Sequence, residues 1–431
     1  MDEQGISDQT NPIFSLSKLT KELGIVGVGQ VLAVLGSFIG VRILTEYLPA
    51  DEYGSISLAI FTTQFSVQLF SGPLTNAFTR YYSFALEDGK LKEFYKSFNS
   101  LLISSSLLNL ALGIVVVLAI KAFYSDKLPT LLWLALLSTI LAGASSIING
   151  IQTGARNRIN VSLHQILLVW GKLGLAILFI FLFKMNAQAV LIGYLAASFL
   201  IFLSEYFFLR KRPGYSTEFS LNFQAKWPKN IIDFSFPFVL WGGFTWLFMV
   251  SDRWALELYT SRAEVGLYAV VYQVGYVPMA IAAGIFSQFI SPIIFQKAGN
   301  AQNEAQNNKA ISMTTWIALA SLGFTIVAFL IALLIHKPFF EIIVAKEYRE
   351  ASYLFPYLIL AGGLFETGQF AALKFLAYNS PKRLLTPKII TSLAGFGLVF
   401  VSAKFLGIEG VIGAFIIFSI VYLIWILKLK Q

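Results

Sequence analysis

The sequence lacks cysteine altogether and is poor in charge. Charged residues make up 13% of the 431 positions, against roughly 25% in soluble domains. Without cysteine, disulfides and thiol catalysis are excluded. The shortage of charge excludes a soluble enzyme and a disordered scaffold, because too few charges are present to cover the surface of a water-soluble body of this size.

Apolar residues take the place of the missing charge. They form 57% of the chain, with 40 Phe, 18 Tyr and 8 Trp, and the mean hydropathy is +0.71. Such a composition requires the lipid bilayer as its solvent. The net charge of +9 is then largely a matter of membrane topology, and we expect no nucleic-acid partner.

Twelve apolar stretches are long enough to cross a hydrocarbon core of roughly 30 Å, which takes about 20 helical residues. The connections between them are short, so no extramembrane domain is expected to carry a separate activity. The sequence therefore predicts an all-α integral membrane protein of twelve transmembrane helices. The predicted spans are 22–44, 53–78, 98–120, 129–150, 161–183, 188–209, 231–251, 264–290, 311–335, 351–377, 386–406 and 410–428.

The distribution of lysine and arginine predicts the orientation of the chain. When each of the 32 basic residues is assigned to the nearer membrane face, the face that holds both termini receives roughly twice as many as the other. Because cytoplasmic loops carry the excess of positive charge, both termini of this multi-pass protein are predicted in the cytoplasm.

The chain divides into two halves around a basic segment. We predict an N-terminal six-helix bundle over 1–210, a cytoplasmic linker over 211–230 and a C-terminal six-helix bundle over 231–431, arranged around a central cavity. A weak repeat supports this division, since EYG at 52–54 matches EVG at 264–266, each at the start of a span. Both segments cross in the same direction, which predicts parallel repeats related by an axis along the membrane normal.

Three stretches carry a resemblance to a known family. They are VRILTEYLPADEYGSISLAI at 41–60, TRYY at 79–82 and SDRWALELYTSRAEVGLYAVVYQ at 251–273. They resemble the polysaccharide transporters, lipid-linked oligosaccharide (O-antigen type) flippases of the multidrug/oligosaccharidyl-lipid/polysaccharide exporter superfamily. The resemblance implies a V-shaped bundle in the bacterial inner membrane. By alternating access, it would move undecaprenyl-pyrophosphate-linked repeat units for lipopolysaccharide from the cytoplasmic to the periplasmic leaflet.

The same resemblance implies partners and site residues. The partners are the undecaprenyl-pyrophosphate-linked glycan and membrane lipid, with H⁺ or Na⁺ left open as coupling ion and a polysaccharide polymerase as a further candidate. Arg42, Arg80 and Arg253 fall at recurrent family positions and are candidate substrate-binding residues, whereas Asp252 is a candidate for coupling or charge balance. Asp252 and Arg253 are expected to gate the periplasmic opening by pairing with the region of Arg42 and Glu46.

Two charges lie well inside predicted spans, Lys172 and Glu366. A charge at the bilayer centre costs roughly 2.5–3.5 kcal/mol, so a helix keeps one only when it faces a wet cavity or a partner. Lys172 is therefore a candidate cation for the lipid pyrophosphate, with a structural ion pair to Glu366 as the alternative. Glu366 is a candidate for coupling or charge balance, and Lys374, two turns further on, is another candidate substrate-binding residue.

Polar residues recur along the second span. Gln64, Gln68, Ser71, Thr75 and Thr79 follow steps of three and four residues, which places them within about 80° of one helix face. The pattern is typical of a hydrophilic wall along which sugar hydroxyls slide, with Gln64 and Gln68 as substrate-binding residues. It is equally typical of interhelical hydrogen bonds.

Tyrosines recur every four residues in the eighth span, at 268, 272 and 276. Such a stripe either stacks on sugar rings or packs and anchors its helix. Both interpretations stay open from the sequence.

Three classes of function compete. A flippase requires a cationic cavity, a multidrug or cation antiporter of the same superfamily requires an acidic one, and a membrane polysaccharide polymerase requires a large outer loop. The basic character of the chain and its short loops favour the flippase. We expect no enzymatic activity, no cofactor and no metal site, since His164 and His336 are predicted near opposite membrane faces.

Overall fold

The computed structural model describes residues 16–124, 127–220, 222–298, 304–377 and 381–429, and all regular structure within these ranges is helical. A π-helical turn (Val67–Ser71) joins α2 to α3, and 3-10 helices (Lys346–Leu354 and Pro381–Leu384) precede α11 and α12. The α-helices are α1 (Leu16–Tyr47), α2 (Ala50–Thr63), α3 (Gly72–Glu87), α4 (Leu91–Phe123), α5 (Leu128–Gly154), α6 (Arg158–Leu182), α7 (Ala187–Arg210), α8 (Lys226–Tyr259), α9 (Arg262–Ala298), α10 (Glu304–Ile343), α11 (Phe355–Ala377) and α12 (Leu385–Lys428).

Twelve transmembrane segments follow from these helices. By length and hydropathy, nine helices of the described ranges could each cross a membrane. The longest, α12, counts twice because Gly407 breaks it with φ 57° and ψ −138°, a conformation that glycine adopts at little cost. The pair α2–α3 and the helix α11 supply the remaining two segments. The predicted twelve spans are confirmed, including the interruption predicted between 406 and 410.

The helical bundle has two opposite ends. The terminal face is the end at which α1 begins and α12 ends. The far face is the opposite end, where α1 ends at Tyr47 and α2 begins at Ala50. Likewise, the first half comprises α1 to α7 and the second half α8 to α12.

Packing within each half is dense, and the halves also meet each other. In the first half α5 packs against α3, α4 and α7, and α6 packs against α1 and α7; in the second half α11 packs against α9, α10 and α12. Apolar side chains from both halves form one core that runs inward from the far face. A second core at the terminal face joins α3, α4 and α5 to the start of α8.

The closest approach between the halves is the crossing of α2 and α9 at the far face. A Cβ atom on Gly54 would collide with the backbone carbonyl of Arg262, and one on Gly266 would collide with that of Ala50. The two contacts are reciprocal, as expected of two segments that are 212 positions apart in a repeat. Glycine at both positions is what allows the backbones to touch.

The second transmembrane segment departs from the single helix predicted. The π-helical turn Val67–Ser71 carries an extra residue, and Pro73 follows it in the first turn of α3. A π-turn rotates the residues after it relative to those before it. The prediction of one continuous polar face from Gln64 to Thr79 is therefore wrong.

The segment 211–225 between the halves is held against α4. Asn99 donates a hydrogen bond from Nδ2 to the backbone carbonyl of Glu218 at 2.9 Å. The carboxylate of Glu218 forms ion pairs with Lys96 and with Lys92. These two lysines hold the pKa of Glu218 below its usual range. The predicted linker is thus attached to the first half, and α8 begins at Lys226.

Candidate functional site

A cavity of about 250 Å³ lies between the two halves. Helices α1, α2, α6 and α7 line it from the first half, and α8 and α9 line it from the second. Of the described residues that line it, the charged ones are a lysine and an arginine, and none is acidic. The polar lining residues are Ser37, Tyr53, Ser57, Lys172, Tyr194, Arg253 and Gln273.

Lys172 reaches this cavity from the middle of α6. Its side chain is half-buried, and its Nζ lies 5.5 Å from the centre of the Tyr194 ring. No carboxylate of the described residues forms an ion pair with it. A cationic ammonium group in a membrane span is thus turned toward a cavity rather than toward a counter-ion, which is how such a charge is tolerated.

Arg253 reaches the same cavity from α8 and is fully buried. Its Nη1 donates to both carboxylate oxygens of Asp252 at 2.9 Å, and its Nε donates to the Ser57 hydroxyl at 2.9 Å. Its Cζ lies 3.3 Å from the centre of the Phe61 ring, a cation–π contact. Its Nη2 has no hydrogen-bond partner among the described residues. One nitrogen of the guanidinium group is therefore unpaired, although it is buried in this conformation.

Asp252 holds Arg253 in this orientation. Besides Nη1, its carboxylate accepts the backbone N–H of Arg253 at 2.7 Å and the hydroxyl of Tyr268 at 2.6 Å. The Asp252 carboxylate thus accepts hydrogen bonds from Arg253 and from the Tyr268 hydroxyl. This geometry fits charge balance within the pair, because a buried guanidinium is stable only when it is paired and hydrogen-bonded.

Hydrogen bonds between α8 and α2 fix the wall of the cavity. Trp246 donates from Nε1 to the Phe61 carbonyl at 3.1 Å, and Trp254 donates from Nε1 to the Thr62 hydroxyl at 2.9 Å. Phe61, the cation–π partner of Arg253, is therefore held in place by a hydrogen bond to its backbone carbonyl as well as by packing.

A set of contacts between α1 and the region after α10 closes the far face, and we name it the far-face seal. Arg42 donates from Nη1 to the carbonyl of Val344 at 2.6 Å. Thr45 accepts the backbone N–H of Ala345 at 3.1 Å. In the same seal, the Tyr348 hydroxyl donates to the Leu48 carbonyl at 2.8 Å.

The gate predicted from the sequence has different partners. Arg42 pairs with Glu46 at 3.1 Å on its own helix, whereas Arg253 reaches Ser57 of the first half. The expected pairing of Arg253 with the region of Arg42 and Glu46 is therefore wrong. The far face is closed by two separate layers, the seal and the buried Arg253 network.

Glu366 is half-buried and lies near a buried lysine inside the second half. It acts electrostatically on Lys388, which is 6% exposed. The Nζ of Lys388 lies 3.0 Å from the centre of the Trp241 ring and donates to Gln369 at 3.2 Å. The alternative ion pair between Lys172 and Glu366 is not present, because Glu366 faces Lys388 instead.

The other predicted site residues lie outside the cavity. Arg80 is exposed near the end of α3, with its Cζ 4.9 Å from the Phe234 ring centre. Lys374 lies near the end of α11. Gln64 and Gln68 are half-buried around the π-helical turn, and neither lines the cavity. The structure brings Lys172 and Arg253 together and leaves these four apart.

Thr75 and Thr79, the last two residues of the polar pattern in the second transmembrane segment, make interhelical hydrogen bonds. The hydroxyl groups of Thr75 and Ser146 are 3.0 Å apart, and the Thr79 hydroxyl donates to the Gly150 carbonyl at 3.0 Å. These contacts join α3 to α5. For Thr75 and Thr79 the interhelical interpretation is confirmed.

The tyrosine stripe of α9 is buried. Tyr268, Tyr272 and Tyr276 are 0%, 4% and 7% exposed, and the rings of Tyr272 and Tyr276 stack with centres 4.6 Å apart. Rings that are covered by protein have no face left for a sugar. The packing interpretation is therefore favoured.

Sequence reasoning missed several residues of these sites. Tyr53 and Tyr194 line the cavity, and nothing in their local sequence distinguishes them from other aromatic residues. Lys388 is the third residue of the predicted span 386–406, a position where a charge is unremarkable. A lysine three residues inside an apolar run gives little signal until its burial is known.

The sequence matches the protein family described as "Polysaccharide biosynthesis protein" over residues 19–298, more than half of the chain. No curated protein is significantly similar in sequence.

The fold is similar to that of several solved transporters. The lipid II flippase MurJ, in an inward closed conformation, is 18% identical with a TM-score of 0.67, covering 94% of this chain and 86% of that one. An inward-facing multidrug resistance MATE family transporter of the MOP superfamily is 16% identical with a TM-score of 0.66, covering 92% of both chains. A MOP superfamily transporter from Pyrococcus furiosus is 16% identical with a TM-score of 0.61, covering 95% and 94%. At such low identity, these matches establish the fold alone.

Proposed function

Because the chain belongs to the polysaccharide biosynthesis protein family and has the fold of MOP superfamily transporters, we propose that it is a flippase for undecaprenyl-pyrophosphate-linked oligosaccharide repeat units of the O-antigen type. Substrate is taken from the cytoplasmic leaflet of the bacterial inner membrane and released in the periplasmic leaflet, for lipopolysaccharide synthesis. The terminal face, with both termini, is cytoplasmic in this proposal.

The observation that carries the proposal is the charge of the central cavity. Lys172 and Arg253 line it, one nitrogen of Arg253 has no hydrogen-bond partner among the described residues, and no described lining residue is acidic. A pyrophosphate group presents several anionic oxygens, and guanidinium and ammonium groups are their usual hosts in proteins. Lys172 and Arg253 are therefore the proposed hosts, with Asp252 holding Arg253 in place.

The remaining candidate residues have proposed roles along the path. Arg80 and Lys374, toward the terminal face, attract the lipid headgroup before it enters the cavity. Gln64 and Gln68 hydrogen-bond sugar hydroxyl groups once the halves separate. The far-face seal must open for release, and H⁺ or Na⁺ coupling through Glu366 is one source of energy for this change. A polysaccharide polymerase is the proposed partner that receives the flipped unit.

A multidrug or cation antiporter is the second candidate, because the fold is shared with a multidrug transporter and Glu366 is a half-buried acid within the membrane-spanning bundle. A cation substrate would need acidic residues in the central cavity, whereas the described lining residues are basic or neutral. The Pyrococcus furiosus protein is itself described as having a binding pocket of reverse polarity that suggests a different function. The positive charge of the central cavity therefore favours a flippase over a cation antiporter.

Substitutions of Lys172 test the proposal. A cation that binds pyrophosphate needs its charge but not its shape, so Lys172→Arg should keep most of the polysaccharide output of a flippase-deficient host and Lys172→Ala should abolish it. Membrane abundance should be normal in both variants. Lys404→Ala removes an exposed lysine of α12 and serves as the control. Full output from Lys172→Ala, or resistance to cationic drugs conferred by the wild type, would favour the antiporter.

The proposed orientation has its own test. A reporter that is active only in the periplasm should be active when fused after Asn186 and inactive when fused after Tyr215. The reverse pattern would place the terminal face outside and reverse the direction of transport.

A further inference from the structure

A buried acid lies in the first half, on α7, outside the central cavity. The side chain of Glu205 is 3% exposed. Its Oε1 accepts a hydrogen bond from the Nδ2 of Asn149 on α5 at 3.0 Å, and the hydroxyl of Ser145 lies beside the carboxyl group. Its Oε2 has no hydrogen-bond partner among the described residues. The carboxyl group thus has neutral neighbours and one unused oxygen.

Cations near Glu205 along the chain have other partners. Arg210, at the end of the same helix, stacks on Tyr206 with its Cζ 5.9 Å from the ring centre. Arg212 donates to the Gln152 side chain at 2.7 Å. Helix α5 carries no titratable side chain at all. No cation of the described residues therefore compensates a negative charge on Glu205.

Three titratable groups on other helices packed against α7 have contacts of their own, and no charged group is among the influences on Glu205. On α6, His164 shares hydrogen bonds with the Asn160 carbonyl at 2.8 Å and with the Ser204 hydroxyl at 3.0 Å. A carbonyl only accepts, so Nδ1 donates to it. On α2, the Glu52 carboxylate accepts a hydrogen bond from the backbone N–H of Ala187 at 2.7 Å. Ala187 begins α7, at the end of the helix away from Glu205. Lys172 of α6 faces the central cavity.

From this geometry we propose that the Glu205 carboxyl group is a proton-binding site. A buried carboxylate without a cation costs several kcal/mol. A proton transferred from water to Oε2 removes the charge, and the hydrogen bond from Asn149 to Oε1 is kept. The proton is taken up and released as the environment of α7 changes.

A proton fits this site better than a metal ion. Hard cations need several oxygen ligands, whereas Asn149 presents its N–H to the carboxyl group. The described residues contain no group of three acidic or histidine side chains that could hold a metal. Glu205 lies five residues before the end of α7, about 7.5 Å along the helix, so a proton has a short route to the terminal face.

Infrared spectroscopy of the purified protein in lipid nanodiscs tests the site directly. Wild type should show a carboxylic C=O band that disappears as the pH is raised and shifts in D₂O. Glu205→Gln should lose that band, and Glu366→Gln, which removes the half-buried acid of α11, should keep it. The amide is isosteric with a protonated carboxyl group, so Glu205→Gln should fold normally.

Asn149→Ala provides a second variant, because loss of its hydrogen bond should move the pH at which the same band titrates. A band that is unchanged in Glu205→Gln would overturn the proposal. A band in wild type that is abolished by sodium at constant pH would also overturn it, in favour of a metal cation. None of these readouts requires transport, so they stand apart from the flippase proposal.

Discussion

Gly54 of α2 and Gly266 of α9 face each other at the far face, and each lies against the backbone of the other helix. The contact is reciprocal, since Gly54 meets Arg262 and Gly266 meets Ala50, and each pair is separated by 212 positions in the chain. Two helices related by a pseudo-twofold axis meet in this way. The two halves therefore touch at a point where each helix presents a glycine.

Alanine at either glycine should force the two helices apart. Gly54→Ala and Gly266→Ala place a methyl group into backbone atoms, which typically costs about 1–3 kcal/mol. Thermal unfolding should show this loss. In addition, a cysteine at Ser57, which is buried beside Arg253, should become accessible to a thiol reagent from the far face. Gly284→Ala on α9 has open space around it and should leave both measurements unchanged.

The far-face seal can be locked by a disulfide in this cysteine-free chain. Thr45 and Ala345 are joined by a hydrogen bond of 3.1 Å, so cysteines at these two positions should crosslink when the far face is closed. Crosslinking should abolish transport, and a reductant should restore it. Thr45→Cys combined with Phe405→Cys, an exposed position on α12, is the control that should not react. Full transport by the crosslinked protein would show that the seal is not a gate.

Lys388 and Glu366 should behave as a charge-balanced unit. Lys388→Ala leaves the half-buried Glu366 carboxylate inside the membrane without a nearby cation, so the abundance of the protein in the membrane should fall. A second change, Glu366→Gln, should restore it. The same second change should not rescue the polysaccharide output of Lys172→Ala. Rescue in that case would mean that Lys172, and not Lys388, balances Glu366.

The attachment of the segment 211–225 should depend on pH through Glu218. Because Lys96 and Lys92 hold its pKa below its usual range, the attachment contributes fully above about pH 4, the ordinary value of the group. It is lost as the pH falls through the lower folded value. Cleavage of this segment by an acid-active protease should therefore rise with acidity in wild type.

Glu218→Gln should raise that cleavage at pH values where wild-type Glu218 is ionised, should match wild type at more acidic pH, and should remove the dependence on this group. Asp88→Asn is the matched control, since Asp88 pairs with Lys226 at 2.8 Å outside this segment. Equal pH profiles for wild type and Glu218→Gln would show that the ion pairs do not hold the segment.

The sequence by itself determined the membrane-spanning architecture. Hydropathy over about 20 residues is a local property, and it predicted the twelve segments and the interruption that Gly407 makes in α12. The matching motifs at 52–54 and 264–266 indicated Gly54 and Gly266. Lys172 was recognisable because a charge in the middle of an apolar run is visible without any contact being known.

Only the tertiary structure decided which of these residues meet. Arg253 turned out to bind Ser57 rather than the region of Arg42, and Glu366 turned out to face Lys388 rather than Lys172. A π-helical turn rotates Gln64 away from the helix face of Thr79, and no local sequence pattern predicted that turn. Each of these outcomes depends on helices distant in sequence, and the partner of a buried charge is set by whichever group the packing brings within a few ångströms.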